Sequence, residues 1–145
     1  MIHVQSLSRY YGSFAAVEDL SFSIDSNQVV GFLGLNGAGK STTLKILAGL
    51  LEASTGSIEI DGQSISSATV SFRSKIGFLP EEPPLYRDMT VTEFLLYLGE
   101  LRGCSASDLR DHLPKVIEIC QLNGREHQVI NELSLGYRKR VGIAQ

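Results

Sequence analysis

Gly34-Leu35-Asn36-Gly37-Ala38-Gly39-Lys40-Ser41-Thr42 fits the spacing G-x-x-x-x-G-K-[S/T], a pattern whose backbone N–H groups cradle phosphates. Its flanks agree with it. Ahead of it, Val29-Val30-Gly31-Phe32-Leu33 is short, apolar and partly β-branched, which predicts a buried strand. Behind it, Ser41 to Leu51 places Leu44, Leu47, Ala48 and Leu51 at helical spacing. Strand, glycine loop and helix together aim N–H groups and a helix N-terminus at an anion. Gly34, Gly37 and Gly39 are expected to take φ > 0 and curl around the phosphates without a Cβ clash. Lys40 brings a point charge to the β- and γ-phosphates. The Ser41 hydroxyl is the expected Mg²⁺ ligand, and Thr42 offers a further hydroxyl or N–H near the α-phosphate. A flexible surface loop could also hold these glycines, but the full pattern arises by chance in such a chain on the order of once in a hundred or less.

At 145 residues the chain is long enough for one domain with a real core. Its 13 basic and 16 acidic residues leave a formal charge of −3, which gives no support to nucleic-acid or membrane-surface binding through bulk charge. No run approaches the length of a transmembrane helix, and the N-terminus lacks the basic start and apolar stretch of a signal peptide. Cys104 and Cys120 show no metal-ligand spacing. They read as free thiols in a reducing cytosol.

Strand patterns dominate the first part. Met1 to Leu7 and Val17 to Ile24 read as strands, the second alternating Leu20, Phe22 and Ile24. Gly56 to Gly62 is a strand closed by a turn signal, and Lys75 to Leu79 is a buried-strand candidate stopped by Pro80. From about Glu81 the character changes. Thr90 to Arg102 predicts a helix with Glu93 completing a capping box on Thr90. Ser107 to Cys120 reads as a second helix, with Pro114 arguing for a kink or a later start. A third helix is expected from near Gly136 to the chain end. The division is a strand-rich part over 1–80 and a helical part over 81–145.

This arrangement resembles the nucleotide-binding domain of ABC ATPases over nearly the whole chain. Arg9-Tyr10-Tyr11-Gly12 looks like the segment whose aromatic ring stacks on adenine. Local sequence alone favours Tyr10 or Tyr11 as half-buried core; the resemblance reverses that and points to Tyr11. Leu133-Ser134-Leu135-Gly136-Tyr137 looks like the family signature usually written LSGGQ, with Leu135 in place of the first glycine and Tyr137 in place of the glutamine. In the family this segment opens a helix and contacts the γ-phosphate of ATP held by the other subunit, which implies that role in trans for Ser134 and Gly136. Ser134 also reads as a plain N-cap, and the two roles are compatible. Ile76 to Glu81 resembles the loop where most members carry a glutamine near Mg²⁺ and the attacking water; here that position is Glu81, or Glu82 if the register slips by one. Arg138, Lys139 and Arg140 read as a solvated helix face rather than a nucleic-acid patch. The stretch from Glu81 to Leu98 resembles the exporter branch.

The resemblance implies an α/β P-loop NTPase with an N-terminal antiparallel β part, a mixed core sheet and a helical subdomain. It implies ATP held by Tyr11, Asn36, Gly37, Ala38, Gly39, Lys40, Ser41 and Thr42, with Lys40 and Glu81 catalytic and Mg²⁺ at Ser41 and Glu81. It implies a transmembrane permease partner, a homo- or heterodimer of nucleotide-binding domains, no nucleic acid, and a place on the cytoplasmic face of the membrane. A soluble ABC ATPase acting on ribosomes or DNA is the alternative. A non-hydrolysing nucleotide binder is a third reading. A GTPase is disfavoured, because no Asn-Lys-x-Asp motif occurs. No four-residue apolar run is followed by Asp-Glu, and His3, His112 and His127 lie outside the family's switch context. The chain therefore matches the N-terminal part of such a domain, ending just after the signature, with the C-terminal part of the fold absent. Alone it is expected to bind ATP weakly, to lack turnover for want of a general base, and to be marginally stable because its core sheet exposes an apolar edge.

Overall fold

The computed structural model describes residues 1–65 and 76–145. They form two compact units, Met1–Phe78 and Leu79–Gln145, each described by itself.

In the first unit, β1 (Ile2–Tyr11), β2 (Phe14–Ile24), β3 (Thr55–Ile60) and β4 (Gln63–Ser64) make an antiparallel sheet in the order β2-β1-β3-β4. Val4 pairs with Phe22 on one side and Ile58 on the other. Val4 and Leu7 are both buried, although residues an odd number apart fall on opposite faces of a regular strand. A bulge resolves this. Ser6 takes φ +48°, the register shifts between Val4 and Leu7, and the displaced Ser6 N–H donates to Ser21 Oγ (2.8 Å). The extra residue returns Leu7 to the core face. Between β3 and β4, Asp61 (φ +49°) and Gly62 (φ +75°) form a two-residue turn with both φ positive, the geometry that matches strand twist in a hairpin.

The helix after the glycine loop, α1 (Lys40–Leu47), buries Ile46 against Val4, Leu7 and Ile58. It stops short of the expected Leu51. Gly49 takes φ +68°, its N–H donates to the Ile46 carbonyl, and the Leu50 N–H donates to the Lys45 carbonyl, both 2.9 Å. This is a Schellman ending.

The strand expected over Val29–Leu33 is not observed. Residues 28–35 take no regular secondary structure, and Val29, Leu33 and Leu35 are 105%, 92% and 84% exposed. A strand exists only through pairing, and among the described residues nothing pairs with this segment. Phe32 alone turns inward, its ring 6.0 Å from that of Phe22. The strand expected over Lys75–Leu79 fares alike: Ile76–Leu79 takes no regular structure, and Lys75 lies outside the described residues.

The second unit is helical: α2 (Val91–Leu101), α3 (Ala106–Ile119), a 3₁₀ turn at Ile130–Glu132, and α4 (Leu135–Ala144). Val91, Phe94, Leu95, Ile117, Leu122, Ile130, Leu133 and Val141 form its core. A Cβ on Gly99 would overlap Leu109 Cδ2, so the Leu109 side chain rests on α2 at that glycine. α3 starts one residue earlier than expected and runs through Pro114 without ending.

Both α2 and α3 open on capping boxes, Thr90 with Glu93 and Ser105 with Asp108. Hydrogen bonds from the Thr90 backbone N–H and then its hydroxyl hold the Glu93 carboxyl below its ordinary value. Bonds from the Ser105 hydroxyl and then its backbone N–H do the same for Asp108. A depressed folded pKa stabilises the fold above the unfolded value, and that stabilisation is lost as pH falls through the folded value. Melting followed by helix circular dichroism between roughly pH 5 and pH 3 should therefore show a steeper loss for the parent than for a Glu93→Gln/Asp108→Asn variant, which lacks the two titrating carboxyls. Parallel slopes would rule these boxes out as the source of acid sensitivity.

Candidate functional site

The glycine loop is ordered by its own groups. The Ala38 N–H donates to the Leu35 carbonyl (3.2 Å). Gly37 and Gly39 take φ +84° and +79°, as expected. Gly34 does not. Its φ lies outside the left-handed region, and a Cβ there would make ordinary contacts at 3.5 Å to Ala38 Cβ and 3.8 Å to Lys40 Cδ. The conformational argument therefore holds for Gly37 and Gly39 only. Lys40 Nζ reaches back and donates to the Gly34 carbonyl (2.8 Å) and the Leu35 carbonyl (2.7 Å).

Gly39 is the N-cap of α1 and supplies no side-chain acceptor. Its carbonyl receives the Thr43 N–H (2.9 Å) and hydroxyl (3.0 Å). Among the described residues nothing accepts from the N–H groups of Lys40, Ser41 and Thr42. The contrast with α2 is direct. There Val91 and Thr92 donate to the carbonyls of Gln128 (3.2 Å) and Glu126 (3.0 Å), and Glu93 donates to Thr90 Oγ1 (3.3 Å). One helix start is filled by the chain; the other presents bare donors, a lysine and the positive end of a helix dipole. That donor set suits a polyphosphate.

The loop is fixed to the sheet by close approach. A Cβ on Gly39 would overlap the Ala16 carbonyl oxygen and lie 2.9 Å from Val17 Cγ2, so the β1–β2 hairpin that carries Tyr11 rests on the loop through β2. Tyr10 and Tyr11 are 39% and 49% exposed, and neither ring is core. The Arg9 guanidinium lies 4.8 Å from the Tyr11 ring centroid.

The second unit holds the remaining candidates. Ser134 caps α4, its Oγ accepting from the Tyr137 N–H (3.4 Å). Among the described residues nothing accepts from the N–H groups of Leu135 and Gly136. A Cβ on Gly136 would find only Ser134 Oγ, at 4.0 Å, so neither packing nor backbone geometry asks for glycine there. The guanidiniums of Arg125 and Arg140 lie 5.1 and 5.3 Å from the Tyr137 ring centroid. Arg138 is not a free surface charge: its Nη1 donates to the Leu133 carbonyl. Glu81 and Glu82 are exposed. Their segment is anchored on α4, since a Cβ on Gly142 would come within 2.7 Å of Pro83 Cβ and 3.0 Å of Leu79 Cδ1. Sequence reasoning missed Gly99, Gly142 and Arg9; an unexplained glycine inside each helix was the available signal for the first two.

Among the described residues no group of three or more His, Cys, Asp or Glu side chains could hold a metal ion. The exposed Ser41 hydroxyl fits Mg²⁺ held mostly by phosphate oxygens and water, as that ion prefers. No helix among the described residues is long and apolar enough to cross a membrane.

Comparison with known proteins decides the family. The profile described as ABC transporter matches residues 17–145. The chain belongs to the ABC transporter family. The chain is 37% identical, over its whole length, to the ABC transporter ATP-binding protein YxlF of Bacillus subtilis, covering 48% of that protein. It is 32% identical over 99% of its length to the linearmycin resistance ATP-binding protein LnrL of the same organism, covering 46% of it. A solved structure of an ATP binding subunit of an ABC transporter superposes with a TM-score of 0.82 at 32% identity, covering 99% of this chain and 60% of that one. The chain thus spans about half the length of the curated relatives it matches.

Proposed function

We propose that the chain is the nucleotide-binding part of an ATP-binding subunit that couples ATP binding and hydrolysis to export across a membrane. The observation that carries this is the start of α1, where N–H groups uncapped among the described residues, Lys40 and the left-handed Gly37 and Gly39 converge. In this reading Asn36 to Thr42 hold the phosphates, Lys40 offsets their charge, and Tyr11 stacks on adenine. Ser41 holds Mg²⁺, which supplies charge neutralisation at the transferring phosphoryl group. Ser134 and the N–H of Gly136 meet the nucleotide of a second domain, so the subunit works as a homo- or heterodimer beside a permease at the cytoplasmic face. The linearmycin resistance relative favours export, and the transporter names of the relatives favour this over a soluble ribosome- or DNA-acting ATPase. Residues 1–145 contain no Asp-Glu after an apolar run, so this stretch by itself is expected to bind ATP weakly without turning it over.

Gly136 gives the sharpest test. Alanine inside a helix is favoured over glycine by about 1 kcal/mol, and nothing at this position obstructs a Cβ. Gly136→Ala should melt at or above the parent temperature and bind ATP as the parent does. Its ATP-driven association in the full-length protein, followed by analytical ultracentrifugation, should weaken at least about tenfold through obstruction of one charge-assisted contact. A full-length protein that ignores ATP, or a variant that associates as the parent does, would remove the case for the in-trans site.

A further inference from the structure

Arg9 places its guanidinium on a backbone carbonyl and an aromatic ring. Its buried Nε has no hydrogen-bond partner among the described residues, an arrangement that native structures usually avoid. Its Nη1 donates to the Glu52 carbonyl (3.0 Å), and its guanidinium carbon stands 4.8 Å from the Tyr11 ring centroid, within cation–π range. The segment that Arg9 grips is itself fixed. The Ser54 N–H donates to the Ser8 carbonyl (2.8 Å), and Ser54 Oγ accepts from the Tyr10 N–H (3.0 Å). This segment follows the Gly49 ending of α1. Arg9 therefore links backbone leaving the phosphate-loop helix to the exposed ring at the end of β1.

We propose that Arg9 is a positioning residue for the purine base: it lies against one face of Tyr11, holds the ring at a set distance from the phosphate loop, and leaves the other face for adenine. This rests on the reading of Tyr11 as the base-stacking residue. Arg9 touches no phosphate in this arrangement, so its effect depends on the base and passes through Tyr11. A role limited to bracing residues 52–54 would instead disturb α1 and the loop, and would act on any polyphosphate.

The test is equilibrium binding of ATP and of inorganic tripolyphosphate to the full-length protein, comparing the parent, Arg9→Ala, Arg9→Gln and Tyr11→Ala. Arg9→Ala and Arg9→Gln should weaken ATP about two- to fivefold and leave tripolyphosphate unchanged. In a Tyr11→Ala background either change should have no further effect on ATP, because the element it positions is gone. Arg9→Lys keeps the cation and should recover part of the loss. Equal weakening of both ligands, or no weakening of ATP, overturns the proposal. A parent that binds ATP no better than tripolyphosphate shows that the stacking reading itself has failed, and the proposal falls with it. A parent that prefers ATP, loses that preference in Tyr11→Ala and keeps it in Arg9→Ala overturns the proposal alone.

Discussion

Lys40→Ala loses ATP affinity by about a hundredfold, the equivalent of about 3 kcal/mol for a charged donor withdrawn from phosphate. The size follows from what surrounds the site. Lys40 is the only cationic side chain within the loop, and the other donors at the start of α1 are neutral N–H groups. Lys40→Arg should restore little. A planar guanidinium cannot reproduce a compact ammonium seated between the Gly34 and Leu35 carbonyls at 2.8 and 2.7 Å. Both carbonyls are exposed, so stability should change little, and calorimetric titration of a folded variant reads the binding term cleanly. An ATP dissociation constant within about threefold of the parent would show that the loop does not hold phosphate through this residue.

Gly39→Ala should cost about 2–5 kcal/mol of folding stability. Roughly 1–2 kcal/mol is the left-handed backbone, here at φ +79°, and about 1–3 kcal/mol is the repacking forced by a methyl group. That methyl would overlap the Ala16 carbonyl oxygen and press on Val17 Cγ2, and neither is the free end of a flexible side chain. Gly37→Ala is the control. Its φ is +84°, but a Cβ there meets nothing within 4 Å, so only the backbone part remains. Urea unfolding of the two variants should separate them by about 1–3 kcal/mol. Equal midpoints would mean that β2 and the loop yield to each other, and the close approach would lose its significance.

The sequence was most legible where a local signal has a local cause. The Thr90–Glu93 box, the Asp61-Gly62 turn and the N-cap Ser134 each need only a few neighbouring residues, and each is found where read. The start of α3 was missed by a residue because Ser105 and Asp108 form the same box with aspartate in place of glutamate. Gly49 is an equally local stop for α1, and apolar spacing through Leu51 does not register it. Val29–Leu33 went wrong for a different reason. An apolar run states that a segment wants burial, and pairing must come from elsewhere; among the described residues it does not. At the candidate site, residue types and spacing revealed the donors at α1. The grip of Arg9 on the Glu52 carbonyl, the Gly39–Ala16 approach and the anchoring of residues 79–83 on Gly142 are tertiary, and no spacing encodes them.

The lysine folded back onto its own loop has one more consequence. An ammonium carries three protons, and two are directed at Gly34 and Leu35. The third stays available without either bond breaking. The loop can therefore take its shape when the polypeptide folds, and the entropy of ordering it falls on folding rather than on capture of the nucleotide. Preorganisation of this kind lets a short, glycine-rich and otherwise pliable segment behave as a rigid receptor.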